Sequence, residues 1–96
     1  GETIEDQALF KQAKLFEKTN QIDKAVASYE YIIANYRDEI LADDALYFLA
    51  ELYQEQLGLP EKAKELYEKI IFSHQDSIYF IEARKRFRML RGDAIN

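Results

Sequence analysis

The sequence contains no cysteine, no tryptophan, one proline and three glycines in 96 residues. Without cysteine, this chain can form no disulfide and no thiolate metal site, and it has no cysteine nucleophile. Because proline and glycine are scarce, most of the chain is free of residues that break helices, and this favours an α-helical fold. No run of about 18 apolar residues is present, so we expect no segment that inserts into a membrane.

Positive charge is also in the minority, and the formal net charge is −5. Nonspecific nucleic-acid binding needs a basic surface that displaces counterions, so we expect no nucleic-acid partner. The lack of cysteine does not decide the compartment, because cytoplasmic and periplasmic or cell-envelope proteins can both lack it. The chain begins with Gly1, a common remnant of tag removal, and we interpret it as part of a longer protein whose N-terminal context is missing.

One stretch of the sequence occurs twice. Residues 24–33, KAVASYEYII, return as residues 62–71, KAKELYEKII, at a shift of 38. The segments that precede them align at a shift of 37, with Ala13 and Phe16 matching Ala50 and Tyr53. A self-similar period of about 20–50 residues is typical of repeat arrays. The change from 37 to 38 predicts a one-residue insertion around residues 57–59.

Apolar residues recur at the helical spacing in five segments, each of which predicts an amphipathic helix. The predicted helices span residues 2–19, 22–36, 40–57, 60–74 and 78–91. Asn20 or Asp23 is expected to cap the second helix, and Asp76 or Ser77 the fifth. Gly58 is expected to end the third helix. The fold class is therefore all-α, with antiparallel helix-turn-helix repeats in the order A-B-A-B-A.

We expect a single domain over residues 2–92, with repeat 1 at about 2–38, repeat 2 at about 39–76 and a capping helix at about 77–91. Small residues let the helix axes approach closely, and large apolar residues fill the space between turns. The predicted core consists of Leu9, Ala13, Phe16, Ala25, Tyr29, Ile32, Leu46, Leu49, Ala50, Tyr53, Ala63, Tyr67, Ile70 and Phe87.

These positions resemble the tetratricopeptide repeat, a pair of antiparallel helices of about 34 residues with small and aromatic residues at fixed places. The matching residues are Ala13, Phe16, Ala25 and Tyr29 in the first repeat and Ala50, Tyr53, Ala63 and Tyr67 in the second. The resemblance implies a right-handed superhelical stack. The longer period and openings such as Asp44-Ala45-Leu46 resemble a bacterial subgroup found in cell-envelope assembly and tol-pal-associated proteins. Residues 77–84, SIYFIEAR, resemble the last segment of such arrays, and this implies that the chain is the C-terminal end of a longer repeat protein.

In this family the A helices line a concave groove in which peptides bind. By position, the resemblance implies a groove lined by Gln7, Phe10, Lys14, Glu17, Asp44, Tyr47, Glu51, Gln54, Glu82 and Lys85. Phe10 and Tyr47 occupy the same place in successive repeats. Their rings either grip an apolar side chain of the partner or pack on a neighbouring helix.

Other charged residues have structural interpretations. Residues 84–91 hold five cations and no acid, which indicates either a contact for an acidic partner, anionic lipid or nucleic acid, or a solvated face favoured by the helix dipole. Asp43 and Asp44 fall at a helix start, where acids stabilise the dipole, and His74 at a helix end. No motif for metal, phosphate or nucleophilic chemistry accompanies them, so we expect no catalytic residues, no metal and no cofactor.

The sequence therefore predicts a non-enzymatic scaffold that binds a protein or peptide on the A-helix face. The alternative is a structural role, in which the segment caps a longer array or forms a homo-oligomer through an exposed terminal helix. A regulatory helical domain attached to an enzyme is a third interpretation.

Overall fold

The computed structural model describes residues 4–36 and 40–92. These residues form five α-helices, which are α1 Ile4–Lys18, α2 Ile22–Asn35, α3 Ile40–Glu55, α4 Pro60–Ser73 and α5 Phe80–Arg91. The prediction of an all-α fold with five helices is confirmed. The predicted start of the first helix, at residues 2–3, lies outside the described residues.

The chain divides into two compact units, with the boundary between Ala45 and Leu46 inside α3. In the first unit α1 packs against α2, and in the second unit α4 packs against α5. The second unit also contains the rest of α3. The single domain expected over residues 2–92 stays a prediction.

The turn between α1 and α2 is built around Asn20, which has a left-handed backbone with φ 61°. The amide of Gln21 donates to the carbonyl of Phe16 at 2.8 Å, and the amide of Asn20 donates to that of Glu17 at 3.1 Å. This is the Schellman arrangement, in which asparagine is tolerated because its side chain permits positive φ. The prediction that Asn20 or Asp23 caps α2 is wrong, because Gln21 is the N-cap and makes no side-chain cap. Asn20 ends α1 instead.

The turn between α3 and α4 contains the extra residue that the repeat spacing implied. Gly58 has a left-handed backbone with φ 62°, close to the φ of 61° at Asn20 one repeat earlier. The amide of Leu59 donates to the carbonyl of Tyr53 at 2.8 Å, so it bonds across one residue more than Gln21 does. The Leu57 amide donates to the Leu52 carbonyl at 3.1 Å, so this bond spans five residues where an α-helical bond spans four, and the last turn of the helix is wider. For this reason α3 ends at Glu55, two residues before the predicted end at Leu57.

The link from α4 to α5 is longer than predicted, because α5 begins at Phe80 and not at Ile78. The amide of Phe80 donates to the carbonyl of Ser77 at 3.1 Å, and the amide of Tyr79 donates to Ser77 Oγ at 3.0 Å. Ser77 thus stabilises the turn before the helix, while the N-cap itself is Tyr79. Ile78 is 85% exposed as a consequence, and it does not belong to the apolar face predicted for this helix. Helices α2 and α4 each end one residue before the predicted position.

Most of the predicted core is buried. The buried predicted residues are Ala13, Ala25, Tyr29, Ile32, Leu46, Leu49, Ala50, Tyr53, Ala63, Tyr67 and Ile70. Leu9, Phe16 and Phe87 are only half-buried. The rings of Phe16 and Phe87 lie under the cations of Lys24 and Arg91, at 5.8 and 5.2 Å, so charged side chains form part of their cover.

Candidate functional site

A tyrosine on each B helix is hydrogen-bonded to the A helix of the same repeat. In the first unit the Tyr29 hydroxyl donates to Glu17 Oε2. In the second unit the Tyr67 hydroxyl donates to Gln54 Oε1 at 2.7 Å. Both tyrosines are fully buried, so each hydroxyl needs such a partner. The repeated KA…Y…II stretch therefore holds B helix to A helix, and its tyrosine fixes the position of an A-helix polar side chain.

The two aromatic residues predicted for the groove pack against these same tyrosines. The ring centroids of Phe10 and Tyr29 are 6.0 Å apart, and those of Tyr47 and Tyr67 are 5.9 Å apart. Tyr47 is only 7% exposed and also stacks on Tyr79, at 4.5 Å with an interplanar angle of 10°. The ring of Tyr47 thus contributes to packing between helices, whereas Phe10 remains half-buried on α1.

A cluster of charges on α3 and α5 surrounds the guanidinium of Arg86, and we call it the Arg86 cluster. Arg86 Nη2 lies 3.4 Å from Glu51 Oε2, Nη1 lies 3.3 Å from Glu55 Oε2, and Nε lies 3.2 Å from Glu82 Oε2. Nη1 also donates to Gln54 Oε1 and to the Tyr67 hydroxyl oxygen, both at 3.2 Å. The guanidinium lies 5.7 Å from the centre of the Tyr47 ring. Three acidic side chains thus share one cation.

The inner edge of the Arg86 cluster is buried and its outer edge faces solvent. The Arg86 side chain is 19% exposed, while those of Glu51, Glu82 and Glu55 are 30%, 45% and 54% exposed. Arg86 therefore holds the carboxylates in place on their buried side, and solvent reaches them on the other side.

Burial controls the protonation of the groups beneath the carboxylates. It raises the pKa of Tyr67 to about 12, although the hydrogen bond and charge of Arg86 act in the opposite direction. Burial likewise raises the pKa of Tyr47. For Arg86, burial alone would lower the pKa, but the hydrogen bond and charge of Tyr67, the hydrogen bond to Glu82 and the charge of Tyr47 outweigh it and raise the pKa. Arg86 is therefore a permanent cation in this site.

Four of the ten predicted groove residues meet at Arg86, namely Tyr47, Glu51, Gln54 and Glu82. Three others lie together in the first unit, where Phe10 contacts Tyr29 and Lys14 pairs with Glu17 at 3.7 Å. The remaining three are outside these groups. Gln7 and Lys85 are exposed, and Asp44 is half-buried near the start of α3.

The residue that organises this site does not stand out in the sequence. The charge pattern groups Arg86 with the other cations of residues 84–91, whereas the structure separates it from them. One signal could have identified it. Glu82 and Arg86 are four residues apart, the spacing of an ion pair on one helix face, and Glu82 already belonged to the predicted groove.

Within residues 4–36 and 40–92, no group of three potential metal ligands is found. In the same ranges no helix is long and apolar enough to cross a membrane.

Two family models match the chain, and both are described as tetratricopeptide repeat. One matches residues 7–38 and the other residues 43–71, so each covers one helix pair. The chain is a tetratricopeptide repeat protein. No curated protein and no solved structure gives a significant match to it. The resemblance to a bacterial cell-envelope subgroup stays a prediction.

Tetratricopeptide repeats generally mediate protein–protein interactions or scaffolding, and the family is generally non-enzymatic. In this tetratricopeptide repeat protein, the Arg86 cluster lies on the A helices α3 and α5, and the repeated tyrosine supports it from the B helix α4.

Proposed function

We propose that the chain is a non-enzymatic interaction module that binds a peptide or partner helix on the A-helix face of α3 and α5. The family generally binds protein partners, and the predicted groove residues Glu51, Gln54 and Glu82 meet on this face. The Arg86 cluster is the part of the face that recognises the partner.

The observation that carries the proposal is the ratio of charges at Arg86. Glu55 and Glu82, the two more exposed carboxylates, share one guanidinium with Glu51, so the cluster has an excess of negative charge. All three carboxylates keep part of their surface in solvent. A lysine or arginine of a partner can therefore approach them from outside and neutralise this excess.

The cluster is also organised before any partner arrives. Arg86 is fixed from beneath by Gln54 and by the buried hydroxyl of Tyr67. Two carboxylates on α3 and one on α5 are drawn to it. Because these side chains are already ordered, a partner does not bear the full entropy cost of arranging them.

The first unit offers a weaker acidic surface. On α1, the carboxylate of Glu17 has the cation of Lys14 beside it, at 3.7 Å. Tyr47 is too deeply packed to grip a partner side chain by its ring face. We therefore assign recognition to the carboxylates at Arg86.

The test is a titration with three alanine-based peptides that are identical except for three lysines, three glutamines or three glutamates. Binding is followed by the NMR shifts of backbone amides. The lysine peptide is expected to shift the amides near Glu51, Glu55 and Glu82, and its affinity should fall as salt rises from about 50 mM to about 300 mM. The glutamine peptide is expected to leave these amides unchanged, and the glutamate peptide to leave those near Glu51 and Glu55 unchanged.

A variant pair checks that position matters and not total charge. The first variant carries Glu51→Gln, Glu55→Gln and Glu82→Gln. The matched control carries Glu61→Gln, Glu65→Gln and Glu68→Gln on the exposed face of α4. We expect the first variant to lose binding of the lysine peptide and the control to keep it. Equal binding by both folded variants would refute the assignment.

The structural alternative rests on exposed apolar side chains in the second unit. Phe72 and Ile81 are 69% and 70% exposed, and such surface tends to pair. If the segment caps an array or self-associates, Phe72→Gln should weaken association measured by light scattering. A strictly monomeric chain at high concentration would contradict self-association.

A further inference from the structure

Helix α5 repeats α3 at a shift of 38, and the structure supports this alignment because Ala45 and Ala83 are both fully buried. At that shift, four buried residues of α3 correspond to four cations. They are Leu46, Tyr47, Ala50 and Tyr53 in α3, and Arg84, Lys85, Arg88 and Arg91 in α5. All four cations are exposed. We call these four side chains the basic face of α5.

In α3 the corresponding face is the one that meets its B helix. The Tyr47 ring lies 5.9 Å from the Tyr67 ring of α4, and Lys62 of α4 lies 5.6 Å above the Tyr53 ring. A helix that lay against α5 as α4 lies against α3 would therefore meet Lys85 and Arg91 in the places of those two rings. Acidic side chains of such a helix would face these two cations.

We propose that the basic face of α5 binds an acidic amphipathic helix of a partner protein, seated as a B helix is seated on an A helix. Two exposed apolar side chains flank the cations and would meet the apolar stripe of such a helix. Ile81 is 70% exposed and Met89 is 53% exposed. The cations therefore call for acidic side chains on the partner helix, and Ile81 and Met89 call for an apolar stripe.

The charge of α5 is opposite to that of the rest of the chain. Helix α5 carries five cations and one acid, a net charge of +4, while the whole chain has −5, which leaves −9 elsewhere. The helix dipole favours cations in the last turn, and this explains Arg88 and Arg91. It gives no reason for Arg84 and Lys85, which lie in the middle of the helix.

Two of the cations are already ordered. The Arg84 guanidinium lies 5.7 Å above the Phe80 ring, and that of Arg91 lies 5.2 Å above the Phe87 ring. A helix-sized partner fits this face better than a nucleic acid or a membrane does. The carboxylates of Glu51, Glu55 and Glu82 in the same unit repel an extended polyanion.

The test uses two synthetic peptides with the sequence of α4, one unaltered and one with Lys62→Glu, Lys64→Glu and Lys69→Glu. The unaltered peptide has three acids and three lysines, and the altered one has six acids and no lysine. We expect the acidic peptide to shift the NMR signals of amides 81–91, and the unaltered peptide to leave them in place. Failure of the acidic peptide to bind at millimolar concentration would overturn the proposal.

Matched variants separate this face from general charge. One carries Arg84→Gln, Lys85→Gln and Arg88→Gln, and the control carries Lys11→Gln, Lys24→Gln and Lys69→Gln at exposed positions. The α5 variant should bind the acidic peptide at least about tenfold more weakly, because three exposed charge pairs are lost, while the control should bind normally. A charge-conserving variant with Arg84→Lys, Lys85→Arg and Arg88→Lys should restore binding. Equal binding by the α5 and control variants would overturn the proposal.

A third arm uses vesicles of phosphatidylglycerol and phosphatidylcholine. Vesicle binding that depends on the basic face, without peptide binding, would assign the face to lipid and overturn the proposal. This face is distinct from the Arg86 cluster. The variant with Glu51→Gln, Glu55→Gln and Glu82→Gln should therefore bind the acidic peptide normally, even if the lysine peptide fails to bind any form of the chain.

Discussion

Replacing Arg86 with methionine removes the cation on which the Arg86 cluster depends while keeping an apolar stem of similar length. The neutral acceptors Gln54 and Tyr67 lose a donor, but they remain bonded to each other at 2.7 Å. Glu51, Glu55 and Glu82 lose the cation that they share. We therefore expect Arg86→Met to destabilise the fold.

The size of the effect follows from the exposure of each partner. Two hydrogen bonds to neutral groups contribute about 1 kcal/mol each, and three ion pairs to partly exposed glutamates about 0.5 kcal/mol each. The carboxylates can turn outward into water once the cation is gone, which recovers part of this sum. The expected loss is about 2 kcal/mol, or about 8–16 °C in Tm for a chain of this size.

The assay is urea and thermal denaturation followed by helical circular dichroism, at low and at high salt. Arg84→Met is the matched control, because Arg84 is exposed on the same helix and carries the same charge. The control should change stability by less than about 0.5 kcal/mol. Arg86→Lys should fall between the two, since it keeps the charge but loses the fork of donors. Equal losses for Arg86→Met and Arg84→Met would refute the reasoning.

Three further predictions concern the fold. Leu49 is 2% exposed, so Leu49→Ala should cost about 2–4 kcal/mol in urea denaturation, and an unchanged midpoint would contradict its place in the core. Gly58 has φ 62°, so Gly58→Ala should cost about 1 kcal/mol, whereas Asn20→Gly at φ 61° should cost nothing or stabilise slightly. Because the pKa of Tyr67 is raised to about 12, its proton is retained in the folded state while the unfolded chain releases it near 10. The resulting stabilisation, about 2–3 kcal/mol, is complete below pH 10 and is lost as the pH rises to about 12. Tyr67→Phe should flatten the alkaline decline of stability, and an unaltered decline would contradict the raised pKa.

The fold could be predicted because repetition supplied two copies of each signal. Ala25 and Ala63, with Tyr29 and Tyr67, lie at equivalent places and are all fully buried. The helix ends were less predictable, since backbone hydrogen bonds decide them. Nothing in the composition of residues 55–59 shows that the Leu57 amide bonds to the Leu52 carbonyl and ends α3 early.

The candidate site could be predicted only in part, because helical spacing gives the face of a residue but not its partner. Glu51 and Gln54 were placed on the correct helix, and their meeting with Arg86 depends on how α5 packs in the second unit. Tyr47 was expected either to grip a partner or to pack. Its burial follows from stacking on Tyr79, which lies before the start of α5 and has no repeat signal of its own.

The most direct test of the proposed function is the affinity of the lysine peptide for the wild-type chain and for the variant with Glu51→Gln, Glu55→Gln and Glu82→Gln, measured by calorimetry at low salt. If the Arg86 cluster recognises cations, the variant should bind at least about tenfold more weakly, while its thermal unfolding shows that it is folded. Equal affinity of the two folded proteins for the lysine peptide, or equal affinity of the wild type for the lysine and glutamine peptides, would contradict it.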